Sequence, residues 1–208
     1  MSYEKINKIL DDLDSLYPNA KAGLDFTTPF ELLIATILSA QCTDVRVNKV
    51  TSVLFKEHNT PKTILDLGVD GLAKYIKSCG LYKTKSKNII NTCNVLYHDY
   101  DSKVPDNIDE LMKLPGVGRK TANVVVSNAF GTPAIAVDTH VFRVTNRIGI
   151  VNEKDVLSTE MALMQEIPRD RWSKSHHLFI WHGRNLCKAR NPRCEECILN
   201  DRCKFYNS

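Results

Sequence analysis

A chain of 208 residues with 43% apolar side chains can bury a core without staples, and a net charge of +4 is too small to name a polyanionic partner. Seven cysteines is an odd number, and residues 1–17 form a charged amphipathic stretch without a signal-peptide core; a disulfide-built secreted protein is excluded and a reduced, intracellular one expected. The nearest thing to a membrane segment, residues 32–38, is far short of the roughly eighteen apolar residues a span requires, so no membrane partner is expected.

Helical periodicity runs along nearly the whole chain and strand-like alternation is almost absent, which predicts an all-α protein of about ten helices. In order, helices are expected over residues 3–17, 29–40 behind a Thr28 cap, 44–58, 63–66, 71–78, 84–100, 108–113, 118–130, 139–148, 153–167 and 171–187, each break carrying Gly, Pro or a short polar cap. Val124, Val125 and Val126 are strand formers by propensity, but they lie between Ala122 and Ala129 in a helix-length segment and read as buried helix. Charge is unevenly spread. Acid dominates the start; Lys74, Lys77, Lys83, Lys85 and Lys87 form a tract without acid; residues 169–204 hold nine basic against four acidic side chains. The two basic tracts form one phosphate-binding surface if the fold brings them together. Cys42, Cys79 and Cys93 read as plain buried thiols.

Between two short helices lies Leu114-Pro115-Gly116-Val117-Gly118-Arg119-Lys120. Glycine allows positive φ and close approach of a phosphate to the main chain, and the following helix start offers outward amides and a positive dipole end. This is the pattern of a helix-hairpin-helix, which clamps a DNA backbone whatever its sequence. Lys120, two residues into the second helix, is one more phosphate contact or an amine held beside a sugar. As a nucleophile it must be neutral, and at an ordinary pKa of about 10.4 only roughly one lysine in 2,500 is neutral at pH 7, a deficit of about 4.6 kcal/mol. Burial, neighbouring cations and a positive helix end favour the neutral form, and a carboxylate can accept the proton. Asp138, in Val137-Asp138-Thr139-His140, is the candidate, and its type and position also suit an N-cap.

Cys187, Cys194, Cys197 and Cys203 follow with gaps of six, two and five residues, among arginine and lysine. Four thiols within seventeen residues mark a metal site. Tetrahedral zinc usually shows two Cys-x-x-Cys knuckles where this chain has one, and the spacing leaves zinc and an iron-sulfur cluster both open.

The hairpin motif, the segment Val137-Asp138-Thr139-His140-Val141-Phe142-Arg143-Val144 and the four cysteines, together with Leu38-Ser39-Ala40-Gln41-Cys42-Thr43-Asp44 and Gly80-Leu81-Tyr82, resemble endonuclease III nearly end to end. The resemblance implies a helix-hairpin-helix glycosylase fold in two parts: a six-helix barrel over residues 22–133 and a cluster domain over residues 1–21 and 134–208. It implies a base-excision DNA glycosylase with AP lyase activity, removing oxidised pyrimidines from duplex DNA and cutting 3′ to the abasic site by β-elimination through a lysine Schiff base. Lys120 and Asp138 would be catalytic, and the four cysteines would hold a 4Fe-4S cluster. Gln41 and Leu81 would fill the gap left by the flipped nucleotide, the hairpin positions Leu114, Gly116, Val117 and Gly118 would grip the backbone, and Lys188, Arg190 and Arg193, on the loop between Cys187 and Cys194, would face phosphates. Without the resemblance, Gln41 reads as a helix-end polar residue and Leu81 as core. The expected partner is damaged double-stranded DNA, met by a monomer in a bacterial cytoplasm, at the nucleoid. Rival readings are a mismatch-specific glycosylase of the same superfamily, whose members carry tyrosine where this chain has Lys120, and a non-catalytic DNA-binding iron-sulfur protein.

Overall fold

Most helices of this protein start on a side chain that closes the first turn. The computed structural model describes all residues, Met1–Ser208. Ser2 caps α1 (Tyr3–Leu16), Thr28 caps α2 (Pro29–Ser39), Thr43 caps α3 (Asp44–Leu54) and Thr60 caps α4 (Pro61–Ile76) through a reciprocal pair with Thr63. Next come α5 (Tyr82–Asp99), α6 (Ile108–Lys113) capped by Asn107, α7 (Arg119–Ala129), α8 (Thr139–Ile148) capped by Asp138, α9 (Val156–Glu166) capped by Asp155, and α10 (Trp172–Asn185), which continues a 3-10 turn over Arg169–Arg171. Only α5 and α7 begin with neither a capping side chain nor a preceding turn.

The chain divides into two compact units, Ala22–Thr132 and Met1–Lys21 with Pro133–Ser208. The first holds α2 to α7. Phe30 to Leu38 of α2 are all buried, so that helix is covered on every face and forms the centre, with α7, α3 and α5 against it and α4 along α5. In the second unit, Ile6, Leu10 and Leu13 of α1 pack with Val141, Val144 and Ile148 of α8, Leu163 of α9 and Phe179 of α10 in one apolar core.

The two helices expected over 63–66 and 71–78 are both present within the span labelled α4, separated at non-helical Gly68 (φ 64°, ψ 177°), where only glycine avoids strain. The third helix stops at Leu54 rather than residue 58, and α9 starts at Val156 because Asp155 accepts the Ser158 amide at 2.9 Å. Val125 and Val126 are buried in α7, as helix. The acidic start and basic end of the chain answer one another inside the second unit: Asp11 pairs with Arg171 at 2.8 Å, Asp14 with Lys174 at 2.9 Å and Asp12 with Arg202 at 2.6 Å. Three cations of the late basic tract are thereby committed to holding α1 rather than to a phosphate surface.

Candidate functional site

The hairpin is anchored from within. Leu114 and Val117 are buried, and their amides close turns onto Leu111 O and Leu114 O, both at 3.1 Å. Not every loop amide is therefore open, as the sequence suggested, and neither of these side chains can reach a ligand. The open amides lie further on. The first bond of α7 runs from Ala122 N to Gly118 O at 2.9 Å, and no side chain caps Gly118. The two glycines serve different needs. Gly116 has φ +79° and backs onto Asn88, whose side chain lies 2.9 Å from where a Cβ would stand. Gly118 is extended (φ −92°, ψ 174°), with nothing within 4 Å of that point, so a side chain would project into open space.

Lys120 sits in the first turn of α7, next to Arg119, and is exposed. Lys120 follows a helix start and Arg119, as the sequence suggested, but it is not buried. Asp138 caps α8: its Oδ1 accepts the amides of His140 at 2.8 Å and Val141 at 2.9 Å. Both bonds go to Oδ1, so Oδ2 stands outside the cap. The adjacent His140 is held below its usual pKa by burial, with the Asp138 carboxylate opposing and Arg143 adding to the effect.

Gln41 and Leu81 are exposed, and both take left-handed backbone, φ 54° and φ 58°. For non-glycine residues this costs about 1 kcal/mol or more each, and such strain collects at functional sites. Their loops abut, since a Cβ on Gly80 would stand 3.2 Å from Gln41 O. The core reading of Leu81 is wrong: the side chain is 57% exposed. Beneath the two tips lies Lys85, only 4% exposed, whose ammonium donates to Leu38 O at 2.8 Å and Ala40 O at 2.7 Å. Burial lowers its pKa, against the pull of the Cys79 and Cys42 thiols. Lys85 thus leaves the basic tract expected at the surface, while Lys74, Lys77, Lys83 and Lys87 remain there. Leu81, Lys85, Asn88 and Thr92 follow one another at helical spacing along α5. Asn88 backs Gly116, and Thr92 Oγ1 donates to Pro115 O at 2.7 Å, so one face of one helix meets both exposed tips and the hairpin. Cys79 and Cys93 are buried as expected, with burial pushing Cys79 up to about 11 and Cys93 up to about 12; Cys42, in the Gln41 loop, is partly exposed instead.

In the second unit, Cys187, Cys194, Cys197 and Cys203 line one pocket, walled by Leu186, Leu199, Phe205 and other apolar groups. A cubane cluster takes one thiolate at each iron, and four cysteines on one apolar-walled pocket supply that donor set. Burial first, and then the neighbouring thiols, raise the pKa of Cys194; burial and the other three cysteines do the same for Cys197, opposed by the Leu199 amide. Around them the polar groups are closed. Arg147 donates to Lys188 O at 2.7 Å and Ala189 O at 3.0 Å, lies 3.7 Å from Cys187 Sγ and stacks on Phe205. Arg143, one turn earlier, donates to Cys187 O at 3.1 Å and Gly183 O at 3.0 Å. Buried His182, its pKa lowered to about 4 by burial, lies 3.2 Å from Tyr17 Oη through Nδ1 and 3.5 Å from Cys197 Sγ through Nε2. One neutral tautomer serves both contacts, accepting from Tyr17 and donating to the sulfur. Lys188 and Arg190 are exposed on the loop, but Arg193 pairs with Glu196 at 3.0 Å and donates to Asn185 O at 3.1 Å, so it braces the loop rather than standing out as a third phosphate contact.

Sequence comparison meets this geometry at the same places. Residues 34–169 match the model of the HhH-GPD superfamily base excision DNA repair proteins, and residues 187–203 match the iron-sulfur binding domain of endonuclease III. The chain is therefore a helix-hairpin-helix base-excision repair protein that carries a 4Fe-4S cluster. It is 49% identical to endonuclease III of Bacillus subtilis (strain 168), over 98% of this chain and 94% of that protein. The same fold is found in a non-covalent endonuclease III–DNA complex and in a trapped endonuclease III–DNA covalent intermediate, each 48% identical with a TM-score of 0.94, covering 100% of this chain and 97% and 98% of those chains. The chain belongs to the endonuclease III family and is a base-excision DNA glycosylase with lyase activity. A non-catalytic DNA-binding protein and a mismatch-specific enzyme are the readings disfavoured.

Proposed function

We propose that the enzyme releases oxidised, ring-saturated pyrimidines from double-stranded DNA and then cuts the strand 3′ to the lesion, with Lys120 as nucleophile. The observation that carries the reading is an exposed lysine in the first turn of a helix whose amides no side chain closes, directly after a hairpin turned by Gly116. Those amides and the helix dipole hold a phosphate, and the amine is delivered beside the same backbone. The Lys120 amine bonds to C1′ as the glycosidic bond breaks and its electron pair leaves with the base. Asp138, through the oxygen outside its cap, accepts the amine's proton and stabilises positive charge on the sugar. The sugar ring then opens, C1′–O4′ breaking as O4′ takes a proton and the nitrogen's electron pair forms the imine; the imine acidifies the 2′ hydrogens, loss of one expels the 3′ oxygen, and water releases the lysine.

Gln41 and Leu81 occupy the space vacated by the extruded nucleotide, and saturation of the base, by removing its stacking, lowers the cost of extrusion. Lys188 and Arg190 add phosphate contacts from the cluster loop. The cluster, once bound, joins the ends of that loop through its cysteine ligands. The same reading makes the enzyme a monomer at the nucleoid of a bacterial cytoplasm; the relatives are bacterial, and no helix is long and apolar enough to cross a membrane. Borohydride trapping tests the chemistry: wild-type enzyme should form a covalent adduct on abasic and thymine-glycol duplexes and Lys120→Ala none. A wild-type enzyme that releases base but never traps would remove the lysine from the mechanism.

A further inference from the structure

We infer that Lys85 is a positioning residue for base extrusion, holding the Gln41 and Leu81 tips in register from below. A buried lysine needs a reason, and the bonds this one makes supply it. Helix α2 ends without a basic residue in its last turn and with Ala40 in a non-helical conformation, so its last carbonyls need donors. The Lys85 ammonium bonds the carbonyls of Leu38 and Ala40, and the next residue is Gln41. From its other end, Lys85 belongs to the first turn of α5, where its own amide donates to Leu81 O at 3.0 Å. One side chain therefore joins the residue before one tip to the helix turn that carries the other. The positive charge also sits at the negative end of α2, where a cation is favoured.

Neither tip is secured by its own backbone preference. Gln41 and Leu81 both hold left-handed backbone that their side chains disfavour, and Leu81 begins α5 without a cap. The surroundings over-determine these conformations: Gly80 abuts Gln41 O, the Cys42 amide turns back to Ser39 O at 3.0 Å, and Lys85 fixes the carbonyls between. Without the ammonium, the α2 end and the Gln41 loop can relax independently of α5. The hairpin would not follow, because it rests on Asn88 and Thr92, further along the same helix. Lys85 thus tunes extrusion separately from backbone grip.

This inference rests on the wedge roles of Gln41 and Leu81, and the test separates the two. Cluster-loaded Lys85→Met, Gln41→Ala, Leu81→Ala, the Gln41→Ala/Leu81→Ala double variant and the triple variant are compared on a thymine-glycol duplex with 2-aminopurine beside the lesion. Single-turnover base release and the fluorescence rise on extrusion are both followed. Lys85→Met should lose about tenfold in each, keep wild-type affinity for undamaged duplex, and cleave a preformed abasic site within twofold of wild type. In the background lacking both tips its effect should vanish, and Lys85→Gln, which retains N–H donors, should recover part of the loss. Should Lys85→Met fail to retain its cluster and fold, Lys85→Gln replaces it in the same comparison, with a smaller loss expected. Wild-type extrusion in the lysine variant, with both tip variants impaired, overturns the inference and leaves the wedge reading intact. Unimpaired tip variants overturn the wedge reading first. A lysine effect that persists in full without the tips also overturns the inference, since it would act by another route.

Discussion

Helices α7 and α8 are of similar length and begin in opposite ways. At Gly118 there is no side chain to cap α7, while at Asp138 one carboxylate oxygen takes two amides of α8. The contrast extends to the regions around them. In the Ala22–Thr132 unit, the residues assigned to DNA stand on strained or uncapped backbone, and the groups that hold them, Lys85, Asn88 and Thr92, lie behind on α5. Around the cysteines, Arg143 and Arg147 direct donors onto the carbonyls of Cys187, Lys188 and Ala189. An omitted cap forgoes about 0.5–2 kcal/mol. The chain caps seven of its ten helices with a side chain, and α7, directly after the hairpin, is one of the three it leaves uncapped.

Asp138 is where the two arrangements meet in one residue, and separating its oxygens should give the largest effect. Asp138→Asn keeps an oxygen for the His140 and Val141 amides and removes the charge, so base release should fall by about 10²–10³-fold with stability nearly unchanged. Asp138→Ala should add a loss of about 1 kcal/mol in denaturant melts. Equal stability losses in the two variants would assign the residue to capping alone.

Arg147→Ala tests the closed region. It removes two charged hydrogen bonds and a cation-aromatic contact, a destabilisation of roughly 2–4 kcal/mol, and absorbance near 400 nm should decay faster during incubation with chelator. Unchanged cluster retention would mean the loop is held by its cysteines alone. The hairpin glycines should respond unequally. Gly116→Val combines left-handed φ with a clash against Asn88 and should cost about 1–3 kcal/mol, whereas Gly118→Ala should melt within about 0.5 kcal/mol of wild type yet bind damaged and undamaged duplexes equally less well. A Gly118→Ala defect confined to damaged DNA would count against a backbone clamp.

The smallest effect is expected at Asp12. Burial would raise its pKa, but hydrogen bonds from Arg202 and Lys8 outweigh that and hold it below the ordinary 3.8. A folded-state pKa below the unfolded value gives stability that is present above pH 3.8 and lost as pH falls through the lowered pKa. Asp12→Asn should therefore cost under about 1 kcal/mol at pH 7 and flatten the acid limb of the stability curve.

Much of this was legible in the chain because it is local. Thr28, Asn107 and Asp138 announce helix starts, the glycines announce the hairpin, and the boundaries of α6 and α8 followed from their neighbours alone. What was hidden depends on partners distant in sequence. Lys85 sits in a run of lysines that reads as surface, and only its meeting with Leu38 and Ala40, 47 and 45 residues away, turns it inward. Arg171, Lys174 and Arg202 read as phosphate ligands until α1 lays its aspartates against them. Cys42 was taken for a buried thiol because the exposed turn at Gln41 has no sequence signature without a glycine. Arg143 and Arg147 were missed as loop braces; their spacing of four places them one turn apart on α8, a signal that gains meaning only beside a cysteine-bearing loop.

The account turns on which atom bonds to deoxyribose. Holoenzyme incubated with thymine-glycol duplex, reduced with borohydride, digested and sequenced by tandem mass spectrometry should carry the sugar fragment on the peptide containing Lys120, at that side chain. A fragment mapped to any other lysine, or to the amine of Met1, would contradict it.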